Sequence, residues 1–418
     1  MKIFIETLGC KVNTYESEII KEDFLRNGYE IANSLNDANV IVVNTCSVTN
    51  QSDAKSRKVI RNARKANKNA ILVVCGCSSQ NHQDELKDLG ADILIGNKDK
   101  SKIFDYVNNY DNKQIVKYYN MINTDFEKMS LDNYNERTRA FVKIQDGCNN
   151  YCTYCIIPYL RGTIRNKDLN DAINEINTLV NNGFKEIVLT GIHTGSYPEL
   201  VKLIKEISKN DKLERIRISS IEATEINDEF LEELKNNNKI CNHMHIPVQA
   251  ACNNTLKKMN RKYDMNKFKE IINKIREVRP DINITTDLIV GFPSETKEDF
   301  LESYNNAREI KFGKIHVFPY SKRDGTVAAK MKSIVTDSEK KERTHKMIEL
   351  SNKLENEYYN KFINKKLKVL VEEVFDKYCT GHTDNYIKVI INKKLEHNKF
   401  YDVKIIKVDN CNVYGEIE

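Results

Sequence analysis

The chain has 418 residues, with 40% apolar and 30% charged content, a formal net charge of +6 and 11 cysteines. These figures describe a globular protein with room for two or three domains and exclude a disordered or disulfide-stapled chain. There is no run of 18 apolar residues, and the start MKIFIETLGC lacks a signal-peptide h-region, so no membrane span and reducing, cytoplasmic surroundings are expected.

From the N-terminus, KIFIETLG, NVIVVNT, AILVVCG and DILIG read as strands with amphipathic helical patterns between them. That order predicts an open, parallel α/β sheet over residues 1–110. Residues 120–138 carry no strong period and suit a connection. A second run follows, with strands at 140–145, 185–190, 215–219, 243–247, 283–290 and 314–318. Helical patterns near 168–181, 199–209, 225–236, 264–278 and 295–309 separate them. Such repeats fit a partial parallel barrel or a second doubly wound sheet. A charged helix near 336–360 leads to KLKVLVEEVF, NYIKVIIN, FYDVKIIKV and NVYGEIE, short strands that make a small β-barrel.

The cysteines fall into two informative sets. Cys148, Cys152 and Cys155 form CxxxCxxC in the loop after AFVKIQD. Three thiols cannot close a tetrahedral zinc site alone, and no second knuckle lies nearby. A four-iron cluster held by three cysteines leaves one iron open for a small molecule; a zinc site with a distant fourth ligand and simple core packing are the alternatives. Cys10, Cys46 and Cys77 each fall just past the carboxyl end of an expected strand, on the ligand-binding edge of a parallel sheet. They read either as a second metal centre or as buried apolar thiols. Cys75, one side-chain reversal away, points elsewhere; Cys241, Cys252, Cys379 and Cys411 show no metal spacing.

Taken together, IQDGCNNYCTYCIIPYLRG, TLGCKVNTYES, VVNTCSVT, CGCSSQ, LTGIHTG, RISSIEATEI, HMHIPVQAACNNTLKKMNRKY, TTDLIVGFPSETKEDF and KIHVFPYSKRDGTVAAKM resemble, in order and over nearly the whole chain, the radical S-adenosylmethionine methylthiotransferases. The resemblance implies an N-terminal α/β methylthiotransferase domain (1–118), a linker (119–136), a partial (β/α)6 radical barrel (137–352) and a C-terminal TRAM β-barrel (353–418). It implies that Cys148, Cys152 and Cys155 hold one [4Fe–4S] cluster, whose open iron binds S-adenosylmethionine, and that Cys10, Cys46 and Cys77 hold a second used in sulfur insertion. One departure is QAACN at 249–253, where the family more often reads QSGSN, although Gln249 is retained.

Exchanging an unactivated aryl C–H for C–SCH3 is beyond any side-chain base, so a cofactor must supply a radical and no conventional catalytic acid or base is expected. Two S-adenosylmethionine molecules per turnover, a reducing electron donor and a sulfur donor are implied. Gly291, Phe292 and Pro293, which end a strand, are candidates to shape the pocket beside the adenine of the cofactor, with Gln249. Arg161 and Arg165 are candidates for the cofactor carboxylate or a substrate phosphate. The strip KSRKVIRNARKANK (55–68) has seven cations and no acid, a pattern suited to a phosphate backbone or a solvated helix face. Within the family, the wording most resembles the branch that acts on N6-threonylcarbamoyladenosine at tRNA position 37, in the anticodon loop. The branch acting on N6-isopentenyladenosine is the nearest rival. A non-catalytic iron–sulfur or zinc protein that binds RNA is a rival of another class.

Overall fold

The computed structural model of the chain describes residues 1–122, 124–134 and 137–417; Asn123, Asn135 and Glu136 of the expected linker and Glu418 of the tail lie outside the described residues. The apolar runs of the first block pair as a parallel sheet buried on both faces, which is why they read as continuous rather than alternating. Its spatial order is Glu30–Ile31, Lys2–Thr7, Val40–Thr45, Ile71–Gly76, Ile93–Ile95 and Ile115–Lys117. One face buries Ile41, Val43, Leu72 and Val74, and the other Ile3, Val42, Val73 and Cys75. The two outer strands were not expected, because neither carries an apolar run long enough to stand out. Strand order reverses between Lys2–Thr7 and Val40–Thr45, so a ligand crevice lies beyond their carboxyl ends.

Six further strands, Arg139–Lys143, Glu186–Thr190, Arg215–Ile218, His243–His245, Asn283–Val290 and Lys314–Pro319, stand in chain order as two parallel triplets. The triplets meet where Ile216 bridges Ile240 and where the Ile221 N–H donates to the His245 carbonyl (3.1 Å). Sequential strands separated by helices make an open (β/α)6 barrel; a doubly wound sheet would reverse its order partway. Side-chain caps at Asp168, Asn227, Asp264 and Thr296 accept backbone N–H bonds and set where four of the intervening helices begin.

The expected connection is not loose. Met129, Leu131 and Tyr134 are buried in the central core, together with Tyr15 and Ile19 of helix Lys11–Arg26. Helix Asp337–Asn360 crosses position 353 unbroken, placing Leu350 and Leu354 in the central core and Tyr358 and Tyr359 in that of the tail. The tail is a closed barrel of five strands, ordered Lys366–Val374, Cys379–Thr383, Lys388–Ile391, Asn412–Glu416 and Phe400–Asp409. Cys379–Thr383 (CTGHT) was not legible as a strand, having a central glycine and no alternation. Gly381 is needed there because a Cβ would sit 2.0 Å from the Leu370 carbonyl oxygen. Among the described residues, no helix is long and apolar enough to cross a membrane.

Candidate active site

The reversal in the N-terminal sheet gathers residues that are far apart in sequence. Cys10 caps helix Lys11–Arg26, Cys46 follows Val40–Thr45, and Cys77 opens the short helix Cys77–Asn81. Two glycines permit the approach. Gly9 (φ +103°) lies so close that a Cβ would meet the Cys46 Sγ at 2.8 Å. Gly76 (φ +97°) leaves a Cβ only 2.6 Å from the Thr45 carbonyl oxygen. Both positions therefore exclude side chains on steric and conformational grounds. Cys10 opens to the outside, yet the protein around its thiol raises it; burial pushes Cys46 up to about 11, and the neighbouring thiols of the set add to both shifts. Cys75, by contrast, is fully buried in the opposite face of the sheet.

The second set sits in the loop beyond Arg139–Lys143, at the carboxyl end of the barrel. Gly147 (φ +74°) passes the Thr163 carbonyl where a Cβ would fall 2.0 Å from it. The Cys148 N–H donates to the Gly162 carbonyl (3.0 Å), the Cys155 N–H to Cys152 (2.9 Å) and the Thr153 N–H to Met259 (3.0 Å). Cys152 accepts from Arg261 Nη1 at 3.6 Å, and Cys148 lies 3.9 Å from His193 Nδ1. Burial, followed by the neighbouring thiols, pushes Cys155 up to about 12. Metal loading of such thiols must release protons.

All six cysteines line one cavity of about 640 Å³ at the boundary of the two domains. Each set offers three sulfurs, a donor chemistry that suits iron–sulfur ligation. Among the described residues, no group of three or more His, Cys, Asp and Glu side chains is placed to hold a single metal ion. Gln249, at φ +64°, lines the cavity, and Ser219, Ser220 and Glu222 line it too. Gly291, Phe292 and Pro293 do not line it. Phe292 is fully buried against Tyr320, and a Cβ on Gly291 would strike Lys340 at 2.6 Å. The QAACN departure puts Cys252 in hydrogen-bonding contact with Asp299 and Glu302 (3.3 Å each), away from the cysteine sets.

The two arginines also differ from expectation. Arg161 reaches the cavity wall but is fully buried, and its guanidinium holds Glu16 (3.1 Å), Asp146 (3.1 Å) and Asn13 (2.8 Å). Lys143 (2.9 Å) and Lys100 also pair with Glu16, so this cluster joins the first helix to the barrel beneath both cysteine sets. Burial alone would raise both carboxyls; Arg161 and its fellow cations hold Glu16 well below its usual range and Asp146 at about 2. Arg165 does not line the cavity and donates to the Arg161 carbonyl (2.6 Å). Sequence reading missed Arg323 within KRDGT. It crosses the domain boundary to Asp53 (2.6 Å), Ser47 (2.8 Å) and Asn50 (2.6 Å). A buried charge's partner lies across the fold, so spacing alone gave no signal for it.

A CxxxCxxC loop at the carboxyl end of a partial (β/α)6 barrel defines a radical S-adenosylmethionine enzyme. Comparison with known proteins agrees. The family described as "Radical SAM superfamily" matches residues 142–307, and "Uncharacterized protein family UPF0004" matches 2–96. The chain is 43% identical to the threonylcarbamoyladenosine tRNA methylthiotransferase MtaB of Bacillus subtilis, over 97% of this chain and 94% of that one. It is 39% identical to MtaB of Thermotoga maritima, covering 92% and 90%. With the tRNA-2-methylthio-N(6)-dimethylallyladenosine synthase of Clostridium tetani the identity is 34%, covering 99% and 95%. The fold resembles that of the radical methyltransferase TsrM from Kitasatospora setae (TM-score 0.59, 12% identity, 83% and 84% covered). The chain belongs to the radical S-adenosylmethionine methylthiotransferase family.

Proposed function

We propose that this chain is a tRNA methylthiotransferase that converts N6-threonylcarbamoyladenosine at position 37 of the anticodon loop to its 2-methylthio derivative. The observation that carries this reading is the meeting of two three-cysteine sets in one cavity, within a chain more identical to the MtaB proteins of Bacillus subtilis and Thermotoga maritima (43% and 39%) than to the dimethylallyladenosine synthase of Clostridium tetani (34%). Cys148, Cys152 and Cys155 would hold one [4Fe–4S] cluster, and Cys10, Cys46 and Cys77 the other. Bound there, the clusters supply one-electron reduction of S-adenosylmethionine, at an iron left without a protein ligand, and a site for sulfur.

The chain's own residues have positioning work. Asn97 donates to the Cys77 Sγ at 3.5 Å, and Asn13 lies 3.9 Å from the Cys10 Sγ, so each sulfur has a fixed polar neighbour. Arg161 brings positive charge beside Cys10, which offsets part of the rise that burial gives its thiol. Ile156, Ile289 and Phe318 add apolar wall that limits water where reactive species form. Gln249, Ser219, Ser220 and Glu222 are the polar groups of the same wall placed to bind S-adenosylmethionine. Gly291, Phe292, Pro293 and Arg165 support that wall from behind. The division at 1–118, 119–136, 137–352 and 353–418 belongs to the same reading, with helix Asp337–Asn360 joining the last two parts. The working partners are tRNA, a reducing electron donor and a sulfur donor, met in the cytoplasm, with two S-adenosylmethionine molecules used per turnover.

Nucleoside mass spectrometry of tRNA from cells lacking the protein tests the proposal. Loss of the methylthio group from threonylcarbamoyladenosine is expected; loss from isopentenyladenosine instead would transfer the chain to the other branch. Anaerobic reconstitution should give about eight iron atoms per chain, four for each cluster, whereas zinc alone would remove the catalytic reading.

A further inference from the structure

A second cavity, of about 770 Å³, lies between the partial barrel and the tail barrel and is open on one side. Arg217, His243, Thr285, Asp287 and His316 face it from successive strands, at the alternate positions that a strand turns to one side. Glu373, Tyr386 and Lys388 line it from the tail. Lys11, Ser219, Ser220 and Asp287 line this cavity and the cysteine cavity alike, so the two spaces adjoin.

Most charges around it are matched. Arg217 pairs with Glu186 (2.7 Å), Lys314 with Glu355 (2.9 Å), Lys388 with Glu373 (2.9 Å) and His245 with Asp287 (3.3 Å). Lys11 differs. Among the described residues it has no carboxylate partner, and the groups near it that could carry negative charge are the Tyr386 phenol and the Cys10 thiol. A half-buried cation with no carboxylate beside it is a place where an anionic group of a ligand gains a charge-assisted hydrogen bond.

We propose that this cavity receives the side chain on N6 of the target adenosine, a urea-linked amino acid ending in a carboxylate, and that Lys11 pairs with that carboxylate. The inference rests on the threonylcarbamoyl reading above and deepens it. On adenine, C2 and N6 flank N1 along one edge. A base that presents C2 to the Cys10 set therefore carries its N6 group toward the adjoining space, where residue 11 stands. The amino-acid arm brings a carboxylate for Lys11. An isopentenyl arm brings none. It would leave Lys11 desolvated without a partner, the condition under which a polar site rejects an apolar analogue most strongly.

The test is equilibrium binding of anticodon stem–loop RNAs to the anaerobically reconstituted, full-length protein. Two RNAs of one sequence carry threonylcarbamoyladenosine at position 37, one as the free acid and one as the neutral carboxamide. The acid should bind at least about tenfold tighter, the scale of one charge-assisted hydrogen bond. Lys11→Gln should erase that ratio and Lys11→Arg should keep most of it. Because the acid–amide ratio is first measured on the unaltered protein, the test stands even where Lys11→Gln loads iron poorly. Equal affinity of the unaltered protein for acid and amide overturns the proposal. So does a Lys11→Gln loss that is the same for both RNAs, which would make Lys11 a counter-charge for the neighbouring cysteines. Failure of the underlying reading looks different: the unaltered protein would then methylthiolate isopentenyladenosine RNA and leave threonylcarbamoyladenosine RNA unchanged.

Discussion

The two cysteine sets reach the same cavity by opposite routes. Cys148, Cys152 and Cys155 span one short loop, held by its own turn and by contacts to Gly162 and Met259. Cys10, Cys46 and Cys77 come from three separate strand ends, brought together by the reversal of a parallel sheet and by glycines at 9 and 76. The loop set is a local structure, whereas the sheet set exists only when a whole domain is folded. Damage to the two should therefore differ in kind. Breaking the loop should stop radical formation outright, and disturbing the sheet or its packing should remove the second centre while sparing the first.

The largest effect is expected from Cys152→Ala, which removes one of three loop ligands. Formation of 5′-deoxyadenosine from S-adenosylmethionine under reducing conditions should fall to background, with the sheet set still loading iron. Next comes Arg161→Leu, which takes from Glu16 and Asp146 the guanidinium they share and leaves them Lys100, Lys143 and Arg165. Removing one partner of such a buried charge cluster costs about 3–5 kcal/mol, to be read by denaturant unfolding of the metal-free protein. The same cluster gives a signed pH dependence. Both carboxyls titrate lower in the folded protein than in the unfolded chain. Their contribution is therefore full above about pH 4, the unfolded value, and is lost as pH falls toward the folded value of about 2 for Asp146. Acid unfolding of the unaltered protein should show this loss, and Arg161→Leu should blunt it.

Gly9→Ala should be milder, about 1–3 kcal/mol for a forced left-handed backbone, yet selective. Its Cβ would press on the Cys46 Sγ, so iron content should drop toward that of the loop cluster alone while cofactor cleavage persists. The smallest effect is expected at the basic strip. Lys55, Lys58, Arg61, Lys65 and Lys68 are exposed, whereas Arg64 is committed to Asp92 and the Gly90 carbonyl (2.8 Å). Lys58→Ala should weaken tRNA binding modestly and reduce the salt slope by about one, while Arg64→Ala should act through stability instead.

Sequence was most informative where chemistry is local. The spacing of Cys148, Cys152 and Cys155 marked that loop as a candidate site, and the strand-end rule pointed to Cys10, Cys46 and Cys77, which line the same cavity, because strand periodicity is strong in a buried parallel sheet. The six barrel strands were legible for the same reason. The edge strands Glu30–Ile31 and Ile115–Lys117 were not, since short edge strands carry little burial signal. Glycine at 291 and phenylalanine at 292 read as pocket residues by their place after a strand, but Phe292 turns into the core. The roles of Arg161 and Arg323 depend on carboxylates supplied by a different domain, information that no window of sequence holds.

The central claim is that one cavity holds two centres with separate tasks. Its most direct test is the anaerobically reconstituted variant in which Cys10, Cys46 and Cys77 are all alanine. The account predicts about four irons per chain, 5′-deoxyadenosine formation close to that of the unaltered protein, and no methylthio product on threonylcarbamoyladenosine RNA. Normal methylthio product from that variant, or loss of cofactor cleavage with the loop cluster fully loaded, would contradict it.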